Sequence, residues 1–209
     1  MKDTEARLDD IFQAVLNLNE GAAKRLVCIW AERISLLYGA LWTSPFAMMY
    51  QKDLIKVPDL LHEVCAKRMI RHAEELERLE DICETAHFAA MCEANDRENV
   101  LLAAQVADGL QESINVFKQT GDRHDLNPVH VLMSLMVLLQ NVCTGHAALA
   151  ERLEADLGYV TGKRPGFFRP LWPSGKPEGW PSEALSMAGS AVGNIDMGLV
   201  GKAFRLFLK

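Results

Sequence analysis

Glu84 and His87 stand three residues apart in a run that reads as helix, which places a carboxylate and an imidazole on one helical face. A carboxylate-bridged di-iron or di-manganese bundle presents such a pair from each of two helices, with single glutamates from two more. Glu80 lies one turn earlier, but the second half of the pattern is missing, because later positions read Asn127-Pro-Val-His130 and Cys143-Thr-Gly-His146. Cys143 and His146 are the other candidate metal pair, a thiolate and an imidazole that would suit tetrahedral zinc if further ligands came from elsewhere. His72 and Cys83 cannot join one ion, since eleven residues of helix separate them by about 16 Å. The commoner use of these residues is plain: surface pairs at helical spacing, and cysteine or histidine as satisfied core. The expectation is therefore no cofactor, with iron, manganese or zinc at Glu84, His87, Cys143 and His146 as the alternative.

Five cysteines, Cys28, Cys65, Cys83, Cys92 and Cys143, are an odd number scattered through helical runs. That pattern reads as reduced thiols in a cytoplasmic setting. None has an obvious basic flank in the sequence, so activated thiolate chemistry is not expected. A Gly-x-Ser-x-Gly elbow and the Gly-rich phosphate loops are both missing, which disfavours the corresponding hydrolases and nucleotide-binding enzymes.

The elements that must carry these residues are legible from periodicity. Apolar residues at 8, 11, 12, 15 and 16 predict a first amphipathic helix, and Leu26, Ile29, Trp30, Ile34, Leu37 and Leu41 predict a second. Ser44-Pro45 predicts an N-cap followed by proline at the first helical position, opening a short helix with Phe46, Met48 and Met49. Together with Leu41, Trp42 and Tyr50 these residues read as core, or as the lining of an adaptable pocket. From Pro58 onward, Cys65, Met69, His72, Leu76, Leu79, Cys83, Ala86 and Ala90 alternate steps of four and three, a heptad seam. A second seam runs Val100, Ala103, Ala107, Leu110, Ile114 and Phe117. A third runs Val129, Leu132, Met136, Leu139, Cys143, His146, Ala150, Leu153 and Leu157. Asn95 with Glu98 predicts a capping box between the first two seams, although no glycine or proline forces a break, and one continuous helix is the alternative.

The fold class that follows is all-α, an elongated bundle of long antiparallel helices over residues 1–157. Residues 158–183 predict an extended arm rich in proline, glycine and aromatics, and residues 184–209 a short terminal helix packing on the bundle or on a partner. In the arm, Phe167, Phe168, Arg169, Trp172 and Trp180 combine aromatic anchors with positive charge, the residue types that interface cores favour.

A net charge of −6 and a pI near 5.5 disfavour nucleic acid as a partner, because phosphate contact requires a concentrated basic surface. The acidic first ten residues lack the basic flank and apolar run of a secretory signal, and no apolar stretch is long enough to span a bilayer. The expected location is cytoplasmic. The expected role is a non-enzymatic interaction or scaffold protein that assembles, as a homo-oligomer or with another protein, through its seams and its aromatic arm. The alternatives are a bundle enzyme of oxidoreductase type holding a metal or cofactor, and a peripheral coat on a membrane or other apolar surface through residues 184–209.

Overall fold

The structure is a computed structural model and describes residues 4–67, 73–95, 97–118, 127–143 and 145–162. The described residues are all-α, without a strand: α1 (Thr4–Leu16), α2 (Glu20–Ser35), α3 (Tyr38–Leu41), α4 (Pro45–Leu54), α5 (Val57–Lys67), α6 (Ala73–Ala94), α7 (Glu98–Asn115), α8 (Pro128–Val142) and α9 (His146–Val160). The predicted arm beyond Gly162 and the terminal helix lie outside the described residues, as do Met69 and His72 of the first seam. Among the described residues no helix is long and apolar enough to cross a membrane.

The helix α2 is the hub. It packs against α5, α7, α8 and α9, and its buried residues, from Ala22 through Trp30 to Ser35, run round most of its circumference. An amphipathic surface helix would leave one broad face in water; here Glu20, Gly21 and Arg25 are the exposed residues, and the buried Arg33 is matched by a charge from α9. Asn19 caps its start, the side-chain Oδ1 accepting from the Ala22 amide at 2.9 Å.

The predicted helix through Leu41 breaks at Leu36, and α3 follows as a separate turn. The break is held by Gln51 of α4, whose side chain accepts from the Gly39 amide at 2.8 Å and donates to the Ser35 carbonyl at 2.9 Å. Those backbone groups would otherwise be orphans of a helix end. Tyr38 Oη then donates to the Ala86 carbonyl at 2.9 Å and Trp42 Nε1 to Glu93 Oε2 at 3.1 Å, pinning this corner to α6. Ser44 and Pro45 open α4 as predicted, with the Ser44 hydroxyl accepting from the Ala47 amide at 3.1 Å.

The two long helices α6 and α7 form an antiparallel hairpin, with Glu80 paired to Lys118 near its open end and His87 bonded to Ala104 near its middle. The seam residues Leu76, Leu79, Cys83, Ala86 and Ala90 of α6, and Val100, Ala103, Ala107, Leu110 and Ile114 of α7, are buried within the chain. The chain does break between the two seams, but Asn95 does not act as the N-cap of a capping box. It has a positive φ of 36° and terminates α6 in the left-handed region, while Arg97 occupies the N-cap position of α7 without a side-chain cap bond. The third seam is also divided. Cys143 adopts extended backbone after α8, and α9 restarts at His146 to pack on α1 and α2.

Candidate functional site

The metal candidates are not brought together. Glu84 is exposed on α6, whereas His87 is turned towards α7, where its Nδ1 lies 3.1 Å from the Ala104 carbonyl oxygen and its ring stands edge-on to Phe88. Cys143 is buried at the end of α8 and its thiol is pushed up to about 12, by burial first, with Arg33 pulling the other way. His146, three residues on, is exposed at the start of α9. Among the described residues no group of three or more His, Cys, Asp or Glu side chains is arranged to hold a metal ion. The predicted docking residues Phe167, Phe168, Arg169, Trp172 and Trp180 lie outside the described residues.

The thiols require a correction. Packing of α5 on α2 sets Cys65 near Cys28, close enough for each thiol to shift the other's titration. The Cys28 thiol is fully buried and is pushed well above the ordinary range by the neighbouring Cys65 and by burial. Cys65 is half-buried and is lowered to about 6, first by the Cys28 thiol and then by Arg25, His62 and Lys24 acting against burial. Basic groups therefore do flank this pair, contrary to the sequence expectation. They are supplied across the helix interface and from one turn away on each helix: Lys24 and Arg25 precede Cys28 by four and three residues, and His62 precedes Cys65 by three. That spacing was the available signal. Around the thiols, Lys24 pairs with Glu20 at 2.7 Å, Arg25 donates to the Val160 carbonyl at 3.1 Å, and His62 Nε2 lies 3.4 Å from Glu32 Oε2.

A second unusual cluster lies where α2 meets α9. The Arg33 guanidinium forks onto the Asp156 carboxylate, which also accepts from Trp30 Nε1 at 3.3 Å. Burial pushes the Asp156 carboxyl up from the ordinary carboxylate range, against the pull of Arg33, Arg152 and Trp30. Arg152, one turn before Asp156, is 7% exposed, and its Nε and Nη2 have no hydrogen-bond partner. Burial, then repulsion from Arg33, lowers its pKa to about 10, so it remains a cation at neutral pH. The cluster reads as an interior lock rather than a reaction centre, since Asp156 is already saturated by its neighbours.

The predicted Met and aromatic cluster divides between inside and outside. Leu41 and Trp42 are buried, whereas Phe46, Met48 and Met49 of α4 are 56%, 48% and 55% exposed. Among the described residues Phe88 and Met91 of α6 are similarly exposed. A groove of about 450 Å³ runs between α7 and α8, lined in part by Asp108, Glu112, Ser134 and Asn141. Burial first, and then Asp108, raises the Glu112 carboxyl. No family model, no curated protein and no solved structure matches the chain.

Proposed function

We propose that this chain is a helical interaction protein that assembles with a second copy of itself, the basic aromatic segment 163–209 of one copy lying on the acidic helical body of the other. The observation that carries the reading is the exposure of Phe46, Met48 and Met49 on one short helix, α4. Scattered exposed apolar residues are ordinary, but three large ones within four residues of a single capped helix offer a contact surface, and methionine adapts its shape to a partner. The seams cannot supply that surface, because their described members on α6 and α7 are largely consumed inside the chain.

Charge favours this occupant. Segment 163–209 has seven basic and three acidic residues, while residues 1–162 have fifteen basic and twenty-five acidic, so the two parts carry opposite net charge. Complementary charge steers encounter, and aromatic anchors such as Trp172 and Trp180 supply affinity once docked. The test is light scattering on the full chain. An oligomer at micromolar concentration that falls apart both in Met49→Ser with Phe46→Ser and in Trp172→Ala with Trp180→Ala supports the reading. A monomer, or an oligomer untouched by both pairs of changes, overturns it.

A further inference from the structure

Cys28 and Cys65 lie across the α2–α5 interface from one another, one turn from the contact at 3.4 Å by which His62 of α5 meets Glu32 of α2. Among the described residues the remaining cysteines differ: Cys83 and Cys143 are buried, with thiols that burial pushes up to about 12, and Cys92 is exposed on the outer face of α6. Only Cys65 combines a neighbouring thiol, partial access to solvent and basic side chains close by. The charged and titratable groups facing the pair are Lys24, Arg25 and Glu32 from α2 and His62 from α5. A thiolate rather than a thiol is the nucleophile, so a cysteine held ionised beside a protonated partner thiol is poised for attack and then for closure.

We propose that Cys28 and Cys65 are a redox-active dithiol that a hydroperoxide oxidises at Cys65 and that Cys28 closes to a disulfide. The Cys65 thiolate attacks the distal peroxide oxygen; the S–O bond forms, the O–O bond breaks, and the alkoxide or hydroxide released takes a proton to leave as an alcohol or water. Cys28 sulfur then attacks the Cys65 sulfenic acid; the S–S bond forms, the S–O bond breaks, and the departing hydroxide leaves as water with the Cys28 proton. Two thiols lose two electrons and the peroxide gains them. An external dithiol reverses the state by two thiol exchanges. The closed form brings the sulfurs to about 2.05 Å, joining α2 to α5.

The experiment treats the full-length reduced protein with one equivalent of hydrogen peroxide, blocks free thiols with an alkylating agent, and maps peptides by mass spectrometry without reduction. The expected product is a Cys28–Cys65 linked peptide that a dithiol removes, with Cys83 and Cys143 still alkylated after unfolding. In Cys28→Ser, the sulfenic acid should persist at Cys65 and be trapped by a dimedone-type reagent; in Cys65→Ser, Cys28 should stay reduced. As a check that does not depend on either variant folding normally, the rate of Cys65 alkylation in the unmodified protein should have a pH midpoint at least one unit below that of a free cysteine, whose thiol titrates at about 8.5. Oxidation falling first on Cys92 with both Cys28 and Cys65 still free, or a Cys65 midpoint in the free-cysteine range, would overturn the proposal.

Discussion

Arg33 and Asp156 meet in a bidentate ion pair, Nε to Oδ2 at 2.8 Å and Nη2 to Oδ1 at 2.5 Å, with 123 residues of chain between them and both side chains almost wholly out of water. The pair ties the hub helix α2 to α9, and Trp30 from the same face of α2 completes the carboxylate's shell. Desolvating two charges costs several kcal/mol each, which the fork geometry and the indole bond offset only while both partners are present.

Removing one partner should therefore hurt far more than removing the pair. Asp156→Asn removes the buried carboxylate onto which Arg33 forks, and should cost about 3 to 5 kcal/mol in urea unfolding. Arg33→Met with Asp156→Leu should recover most of that loss. A double variant as unstable as the single one would show that the lock contributes more than its charges.

Arg152 should behave in the opposite way to Arg33, though both are buried arginines. Its Nε and Nη2 have no partner, and burial depresses its pKa, so the cation is under-compensated. Arg152→Met keeps the aliphatic stem and removes the charge, and should be neutral or stabilising by about 1 kcal/mol. Arg33→Met, by contrast, should be strongly destabilising in the same denaturation assay.

At the α6–α7 turn, Asn95 sits at φ 36°, a region that asparagine tolerates and β-branched residues do not. Asn95→Gly should leave stability unchanged or raise it by up to about 1 kcal/mol, while Asn95→Val should lower it by about 1 to 2 kcal/mol. Thermal melts of the two variants check this directly, because neither change alters a buried contact.

Gly109 lets α7 pack tightly on its neighbours, since a Cβ there would lie 3.0 Å from a Leu135 methyl and 3.2 Å from an Ile34 methyl. Gly109→Ala sets a helix-propensity gain of about 1 kcal/mol against a small displacement of those methyls, and should come out near neutral. Gly109→Leu has no such room and should lose about 1 to 3 kcal/mol, measured as a lower urea midpoint.

Stability of the reduced protein should depend on pH through the thiol pair. The folded state depresses Cys65, so its contribution is fully present above the ordinary thiol value of about 8.5 and is lost as pH falls towards about 6. Cys28 is raised, so its contribution is lost as pH climbs beyond the ordinary value. Melting temperature should rise from pH 6 to about 8 and fall at higher pH. In Cys65→Ser the rising limb attributable to the thiolate should vanish; an unchanged profile would show that Cys65 is not ionised in the folded chain.

What the sequence by itself determined is local. Helical periodicity and the Ser44-Pro45 start of α4 follow from backbone bonding and side-chain spacing within a few residues, and the structure has them where the residues place them. Buried seam positions on α6 and α7 were legible for the same reason. Tertiary structure decided what depends on residues distant in the chain: that Gln51 holds a break after Ser35, that α2 is buried most of the way round, and that Arg33 finds Asp156. It also decided that His87 turns to a carbonyl while His146 faces water, and that Cys65 lies beside Cys28. Periodicity records which face of a helix is apolar but not which helix covers it, and a charge or thiol acquires its chemistry from whatever that covering helix supplies.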